Sequence, residues 1–332
     1  MKKLWGLLAL LALACAGCGR VQSAETAFFA MDTYMVIEAR GRDAEKAAAE
    51  AEQSVFALEN LISRTRENTD IARLNGAEGA EVTVSPETMA LLRQAKALAV
   101  PGVFDPTIAA VSDLWGINTD GARVPSQEEI DGARATVSID NLILTGEDRA
   151  RLRNGARLDL GGIGKGMAAD RCAEILRARG IESAMITLGG NIYALGEKAD
   201  GSPWKIGIAD PDGGASFIAT LAVKDTSVVT TGDYERYFLR DGVRYHHVFD
   251  PATGAPARSG LRSVTVVNRD STLADARSTA LFVLGLEKGL QYCEENGLQA
   301  VFITEEREIY VTEGLRDSFT FLGKEAGYVM AA

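Results

Sequence analysis

Three stretches of this 332-residue chain carry residue types that do chemistry, at spacings that chemistry uses. The densest is Asp159-Leu160-Gly161-Gly162-Ile163-Gly164-Lys165-Gly166, which runs straight into a predicted helix from Met167. Glycines let a backbone approach a ligand closely, and the helix N-terminus behind them offers free N–H groups and a positive dipole end to an anion. Lys165 adds a mobile positive charge. The dinucleotide fingerprint fails, because Met167 stands where its third glycine belongs. The P-loop pattern fails at Asp159 and at Gly166. The stretch therefore reads either as a phosphate-binding loop of another type or as a glycine-rich tight turn. The second stretch is Asp275-Ala276-Arg277-Ser278-Thr279, where a carboxylate and a hydroxyl four residues apart share one helix face. Hard oxygens of this kind, with waters and substrate phosphates, are what Mg²⁺ collects. A first-turn Asp favoured by the helix dipole is the plainer alternative. The third is Tyr245-His246-His247-Val248-Phe249-Asp250-Pro251-Ala252-Thr253-Gly254, which holds both histidines of the chain. A His at a strand end before a turn is placed to act as a base or ligand, or is simply a surface His. Neighbouring strand residues point to opposite faces, so only one of the pair can face a site.

Elements must hold these stretches in place. Gln22–Thr26 reads as a short tether and Ala27–Ala39 as a strand. Arg42–Ser63 reads as an amphipathic helix with Ala47, Ala51, Val55, Leu58 and Leu61 at helical spacing. Ser85-Pro86 starts a helix over Thr88–Ala99, Ser126 and Glu129 form a capping box, and Gly180 stops the helix over Met167–Arg179. Strand patterns follow at Ala184–Leu188, Trp204–Ala209, Phe217–Val223, Ser227–Thr231, Tyr237–Leu239, Arg244–Phe249 and Ser263–Val267, and then at Ala300–Thr304 and Glu308–Thr312, split by a turn at Glu305–Arg307. Helices cluster early and strands late, with no repeat and no linker. The expectation is an α+β fold, a largely antiparallel sheet core flanked by helices in a single compact unit.

The N-terminus reads as an address. Lys2 and Lys3 precede an apolar run from Leu4 to Gly17, too short for the ~20 residues a bilayer span needs. Ala16-Gly17-Cys18 has the small-small-Cys form of a bacterial lipoprotein signal, with Cys15 a second candidate and an ordinary cleaved signal peptide the alternative. The expected division is a signal peptide over 1–17, a lipid-anchored tether over 18–26 and a catalytic domain over 27–330. The domain is then held at the cell envelope, facing out of the cytoplasm. Thirty-five basic against 46 acidic residues leave a formal charge of −11, which repels duplex DNA and long RNA. Cys172 and Cys293 lie near no other Cys or His at metal-ligand spacing, so neither zinc nor a disulfide framework is expected.

In their order along the chain these segments resemble the FAD:protein FMN transferase (ApbE-like) family. The resemblance rests on Met31-Asp32-Thr33, Phe104-Asp105-Pro106-Thr107, Asp159–Gly166, Gly189-Gly190-Asn191 and Thr231-Gly232-Asp233-Tyr234, together with His247–Gly254 and Asp275–Thr279, from about Phe29 to the C-terminal strands. It implies Mg²⁺-dependent transfer of FMN from FAD to a threonine hydroxyl of a partner flavoprotein, with release of AMP. By matching positions it implies Mg²⁺ on Asp275, Thr279 and the Gly162 carbonyl. It places FAD against Met31, Val103, Phe104, Asp105, Asp159, Lys165 and Phe249, and makes His247 the base. Many members carry Ala at Gly162, which leaves a main-chain ligand intact. An Mg²⁺-dependent FAD pyrophosphatase would use the same residues. A flavin-binding lipoprotein without catalysis would be expected to have lost them, and a two-lobed solute-binding lipoprotein would need a hinge linker that is missing. The implied acceptors are flavoproteins facing the periplasm, and the lipid anchor makes the membrane a partner.

Overall fold

The computed structural model describes residues 22–214 and 217–331. The expected signal peptide and lipidated Cys18, like its rival Cys15, lie outside the described residues. Chain order begins with β1 (Gln22–Ala30), β2 (Thr33–Gly41), α1 (Ala44–Ile62), α2 (Asp70–Asn75), β3 (Val82–Thr83), α3 (Pro86–Leu98), α4 (Ala109–Trp115) and α5 (Gln127–Arg134). It continues with β4 (Leu142–Thr145), β5 (Arg149–Leu152), α6 (Gly161–Ala178), β6 (Ser183–Leu188), β7 (Asn191–Gly196), β8 (Trp204–Ala209), β9 (Phe217–Val223) and β10 (Thr226–Gly232). Then come β11 (Tyr237–Arg240), β12 (Val243–His246), β13 (Phe249–Asp250), β14 (Ala255–Pro256), β15 (Leu261–Asn268), α7 (Ser271–Leu284) and α8 (Leu286–Asn296). The last elements are β16 (Gln299–Thr304), β17 (Glu308–Val311), β18 (Phe319–Phe321) and β19 (Val329–Met330).

A nine-stranded sheet in the order β1-β2-β6-β7-β10-β15-β16-β17-β19 forms the spine. Every pair in it is antiparallel except β17 with β19. Strand alternation gives it two apolar faces. On one face Met35, Ile37, Ile186 and Leu188 pack under α1 and α6, and Val229, Val264, Val266 and Phe302 pack under α7 and α8. On the other face Val228, Val301, Ile303 and Ile309 meet a second, three-stranded sheet, β18-β9-β8. The α+β expectation holds. Cys172 and Cys293 are buried free thiols whose pKa burial pushes up to about 12, as suits core residues.

Three sequence expectations are corrected. Gln22–Thr26 is not tether but the first half of β1, paired residue by residue with Ile37–Gly41. The single strand expected over Ala27–Ala39 is a hairpin broken at Met31-Asp32. Both turn residues have positive φ, 49° and 58°, a turn normally marked by Asn or Gly. The helix expected from Met167 begins at Gly161, so the glycine stretch is helix and not loop. Its glycines are there for contact. A Cβ on Gly166 would lie 2.4 Å from the Ser271 carbonyl oxygen, and one on Gly164 would lie 2.8 Å from Ile62 Cδ1. Close crossing of α6 over α7 and α1 outweighs the poor helix propensity of glycine.

Candidate functional site

The site is built where α6 meets the first turns of α7. On α6, Asp170 reaches across to accept from Ser271 N (2.9 Å), Thr272 N (2.9 Å) and Thr272 Oγ1 (2.6 Å), so one helix caps the other and fixes their register. The registration sets Asp275, 4 % exposed, against the glycine turn, where its Oδ2 accepts from Gly166 N at 2.8 Å. In a regular helix that amide serves the Gly162 carbonyl, which here competes with a carboxylate for its donor. Burial raises the pKa of Asp275, while the nearby Lys165 ammonium and the backbone donors act to lower it. Thr279 Oγ1 lies 4.0 Å from where a Gly162 Cβ would stand, and the Phe104 ring closes on the same point at 2.9 Å. Behind Thr279, Thr231 Oγ1 bonds Ser278 Oγ at 2.7 Å, and Ser278 Oγ donates to the Asp275 carbonyl at 2.9 Å.

The two histidines divide as strand alternation requires. His246 Nε2 bonds the Ala257 carbonyl at 3.0 Å and its Nδ1 accepts from Val248 N at 3.3 Å, so both ring nitrogens are engaged. His247 Nδ1 lies 3.3 Å from the Arg236 carbonyl oxygen. A carbonyl can only accept, so Nδ1 carries the proton and Nε2 keeps its lone pair. Removal from water, then the charges of Arg236 and Lys165, lower the His247 pKa to about 3. Its ring is therefore neutral at ordinary pH, with the Nε2 lone pair left open.

The hairpin turn joins this cluster through Arg236, whose Nη2 donates to the Asp32 carbonyl at 3.4 Å. The left-handed backbone at Met31 is held by Glu59, whose Oε1 accepts from Met31 N at 2.8 Å and whose Oε2 accepts from Arg66 Nη2 at 2.6 Å. A strained non-glycine turn persists where its surroundings over-determine it. Met31 and Val103 pack at the margin of the main core that includes Phe104.

Three expected site residues have occupied side chains. Asp105 accepts from Thr107 N (2.8 Å), Thr107 Oγ1 (2.7 Å) and Ile139 N (2.8 Å), which shapes the loop that presents Phe104. Asp159 accepts from Gly161 N at 2.9 Å, at the start of α6, and pairs with Arg64 Nε at 3.0 Å. Phe249 is buried with Val111, Trp115 and Ile130 in an apolar cluster under the turn that follows His247. Gly162, Lys165, Asp275, Thr279, His247, Phe104 and, through Asp32 and Arg236, Met31 are thus drawn together. Glu59 and Arg236 escaped the sequence reading because their partners lie far along the chain. Asn191, quoted there only as part of a turn, is 1 % exposed beside Asp275, and its amide oxygen and nitrogen both lack a partner at full hydrogen-bond geometry. A cleft of about 540 Å³ between α3 and α6, reaching Arg269 and Asp270, is lined by Asp170 and Thr272 of the helix cap but by neither Lys165, Asp275, Thr279 nor His247.

Comparison with known proteins decides the family. The profile of the ApbE family matches residues 31–302. The chain belongs to the ApbE family. Among curated ApbE relatives, the FAD:protein FMN transferase of Treponema pallidum is 36% identical over 331 residues, covering 91% of this chain and 90% of that protein. The FAD:protein FMN transferase of Klebsiella pneumoniae is 36% identical over 292 residues, covering 86% and 90%. Among solved ApbE structures, the Thermotoga maritima ApbE protein superposes with TM-score 0.85 at 35% identity, covering 90% of this chain and 99% of that one. The apo flavinyl transferase ApbE of Pseudomonas stutzeri superposes with TM-score 0.81 at 31% identity, covering 91% and 98%.

Proposed function

We propose that this chain is an FAD:protein FMN transferase that moves the FMN half of FAD onto a threonine hydroxyl of a target flavoprotein and releases AMP. The observation that carries the reading is His247, whose proton is fixed on Nδ1 and which lies close enough to Lys165 to feel its charge, Lys165 in turn acting on Asp275. In the reaction the threonine oxygen bonds to the FMN phosphorus, the bond from that phosphorus to the bridging oxygen breaks, and AMP leaves with that oxygen. His247 Nε2 takes the threonine proton. Its fixed tautomer leaves Nε2 unprotonated for that task. Lys165 would offset the negative charge of the diphosphate. Phe104, Met31 and Val103 give FAD an apolar border, while Asp105, Asp159 and Phe249 act by holding the segments around it.

The donor set also fits Mg²⁺. No group of three or more His, Cys, Asp or Glu gathers among the described residues. Mg²⁺, however, takes one or two carboxylates and fills its shell with waters and substrate oxygens. Asp275, Thr279 and the Gly162 carbonyl would hold it, and the buried Asn191 amide beside Asp275, without a full-geometry hydrogen bond, supports a polar guest at that point. When bound, the ion supplies charge neutralisation on the diphosphate.

The small-small-Cys pattern supports anchoring by lipid at Cys18, at the cell envelope, with acceptors that face the periplasm. The test incubates the chain with FAD, Mg²⁺ and a threonine-bearing acceptor, then denatures the mixture. Flavin fluorescence that stays on the acceptor band supports transfer; FMN and AMP released with an unlabelled acceptor would refute it in favour of hydrolysis.

A further inference from the structure

We propose that the outer faces of two β-hairpins, β1–β2 and β11–β12, form the docking surface for the acceptor protein; this rests on the transferase reading above. Among the described residues, four of the nine exposed large hydrophobics lie on these outer faces: Phe29 (66%), Tyr34 (63%), Tyr237 and Leu239 (64%). Soluble surfaces do not gather large apolar groups around one site without a use for them.

Their placement names the occupant. Phe29 and Tyr34 are direct cross-strand partners on either side of the Met31-Asp32 turn. Tyr237 follows Arg236, and His247 follows the end of β12, so the second hairpin is bracketed by two residues of the cluster. The bond from Arg236 Nη2 to the Asp32 carbonyl ties the hairpins together at that corner. Neither surface is a loose flap. Phe238 and Tyr245 stack at 5.1 Å, and Tyr245 stacks on Trp115 at 5.5 Å, which seats the inner face of β11–β12. On its other face Arg244 lies over the Tyr237 ring at 4.6 Å. Elsewhere the same side of the large sheet is covered by the three-stranded sheet, whereas among the described residues nothing covers the β1–β2 end and β1 pairs on one side only. A reaction that delivers flavin to a hydroxyl on another polypeptide must seat the chain around that hydroxyl next to His247. The fitting partner is a protein whose hydroxyl-bearing segment is extended and flanked by apolar residues, able to lie along a free strand edge.

The experiment uses the full chain with two double variants, Phe29→Ser with Tyr34→Ser, and Tyr237→Ser with Leu239→Ser. The probe acceptor is the soluble domain of a flavoprotein that carries FMN on a threonine, supplied unflavinylated. The expected result is a KM for the acceptor raised at least tenfold in each double variant, with FAD affinity by fluorescence titration unchanged. An unchanged acceptor KM overturns the proposal. So does a wild-type dimer that dissociates in the variants, or wild-type binding to phosphatidylglycerol vesicles that the variants lose, where either occurs with acceptor KM intact. A wild-type chain that never labels the probe removes the transferase reading itself, and with it the proposal, before any variant is compared.

Discussion

Gly166→Ala probes the contact on which the site's geometry depends. An added Cβ would stand 2.4 Å from the Ser271 carbonyl oxygen and 2.7 Å from Thr272 Cα, both backbone atoms that no rotamer change can clear. Restoring an ordinary separation of about 3.4 Å forces α6 and α7 apart by roughly 1 Å, an overpacking that costs about 1–3 kcal/mol. The same shift stretches the 2.8 Å bond from Gly166 N to Asp275 and the Asp170 cap on Ser271 and Thr272. Loss of a hydrogen bond to a charged group adds about 1.5–3 kcal/mol. A misplacement of that size costs roughly 100-fold in rate. Gly132→Ala is the internal control. It lies within α5 with nothing within 4 Å of its added methyl, so it should stabilise by about 1 kcal/mol through helix propensity alone. Urea denaturation of both variants, beside FMN-transfer rates, reads the two effects. A Gly166→Ala protein as stable and active as wild type would refute the argument that glycine serves close helix crossing here.

Three further outcomes follow from the same geometry. His247→Ala should lower the transfer rate at least 100-fold while changing the FAD dissociation constant only a few-fold; equal losses in both would argue against a proton-accepting role. Asn191→Leu, which removes two buried polar atoms that lack a full-geometry hydrogen bond, should leave the denaturation midpoint unchanged or higher while transfer falls at least tenfold. A clear loss of stability would mean the amide is a structural bond after all. Both histidines have folded pKa values below the usual 6.5, at about 4 for His246 and about 3 for His247. The unfolded chain therefore takes up their protons first, and stability present above pH 6.5 should drain as pH falls toward 4. The limit is about 1.4 kcal/mol per pH unit for each ring, less for His247, which keeps some contact with water. His247→Gln should flatten that slope in denaturation curves taken between pH 6.5 and 4; an unaltered slope would show that the ring titrates normally.

Much of this architecture was legible because local chemistry and global fold agree. Strand β8 alternates cleanly between buried and more exposed residues, Ser126 and Glu129 form the expected capping box, and Ser85 caps the proline-led helix α3. The family's motifs stand in order, and the structure draws most of their residues to one corner. The failures occur where tertiary contact overrides local preference. Four glycines in six positions argue against a helix, yet α6 starts among them because α7 and α1 leave no room for side chains. Met31-Asp32 gives no turn signal, since its left-handed backbone is held from outside by Glu59 and Arg236. Asp105 and Asp159 fit a ligand-binding role by motif, but their carboxylates bond the loops that present their neighbours. No spacing rule reports which oxygen of a carboxylate is already engaged. The same holds for Asn191, whose burial without a partner is visible only once α7 lies over the end of β7.

The central claim is that Asp275 and His247 serve one reaction at the phosphates of FAD, and peptide mass spectrometry of the acceptor tests it most directly. Wild-type chain, FAD and Mg²⁺ should leave an FMN phosphoester on a single threonine peptide. Removing the divalent ion with chelator, or substituting Asp275→Ala in a protein that stays folded, should abolish the modified peptide. A modified peptide formed at wild-type levels by Asp275→Ala, or formed equally well without any divalent ion, would contradict the account.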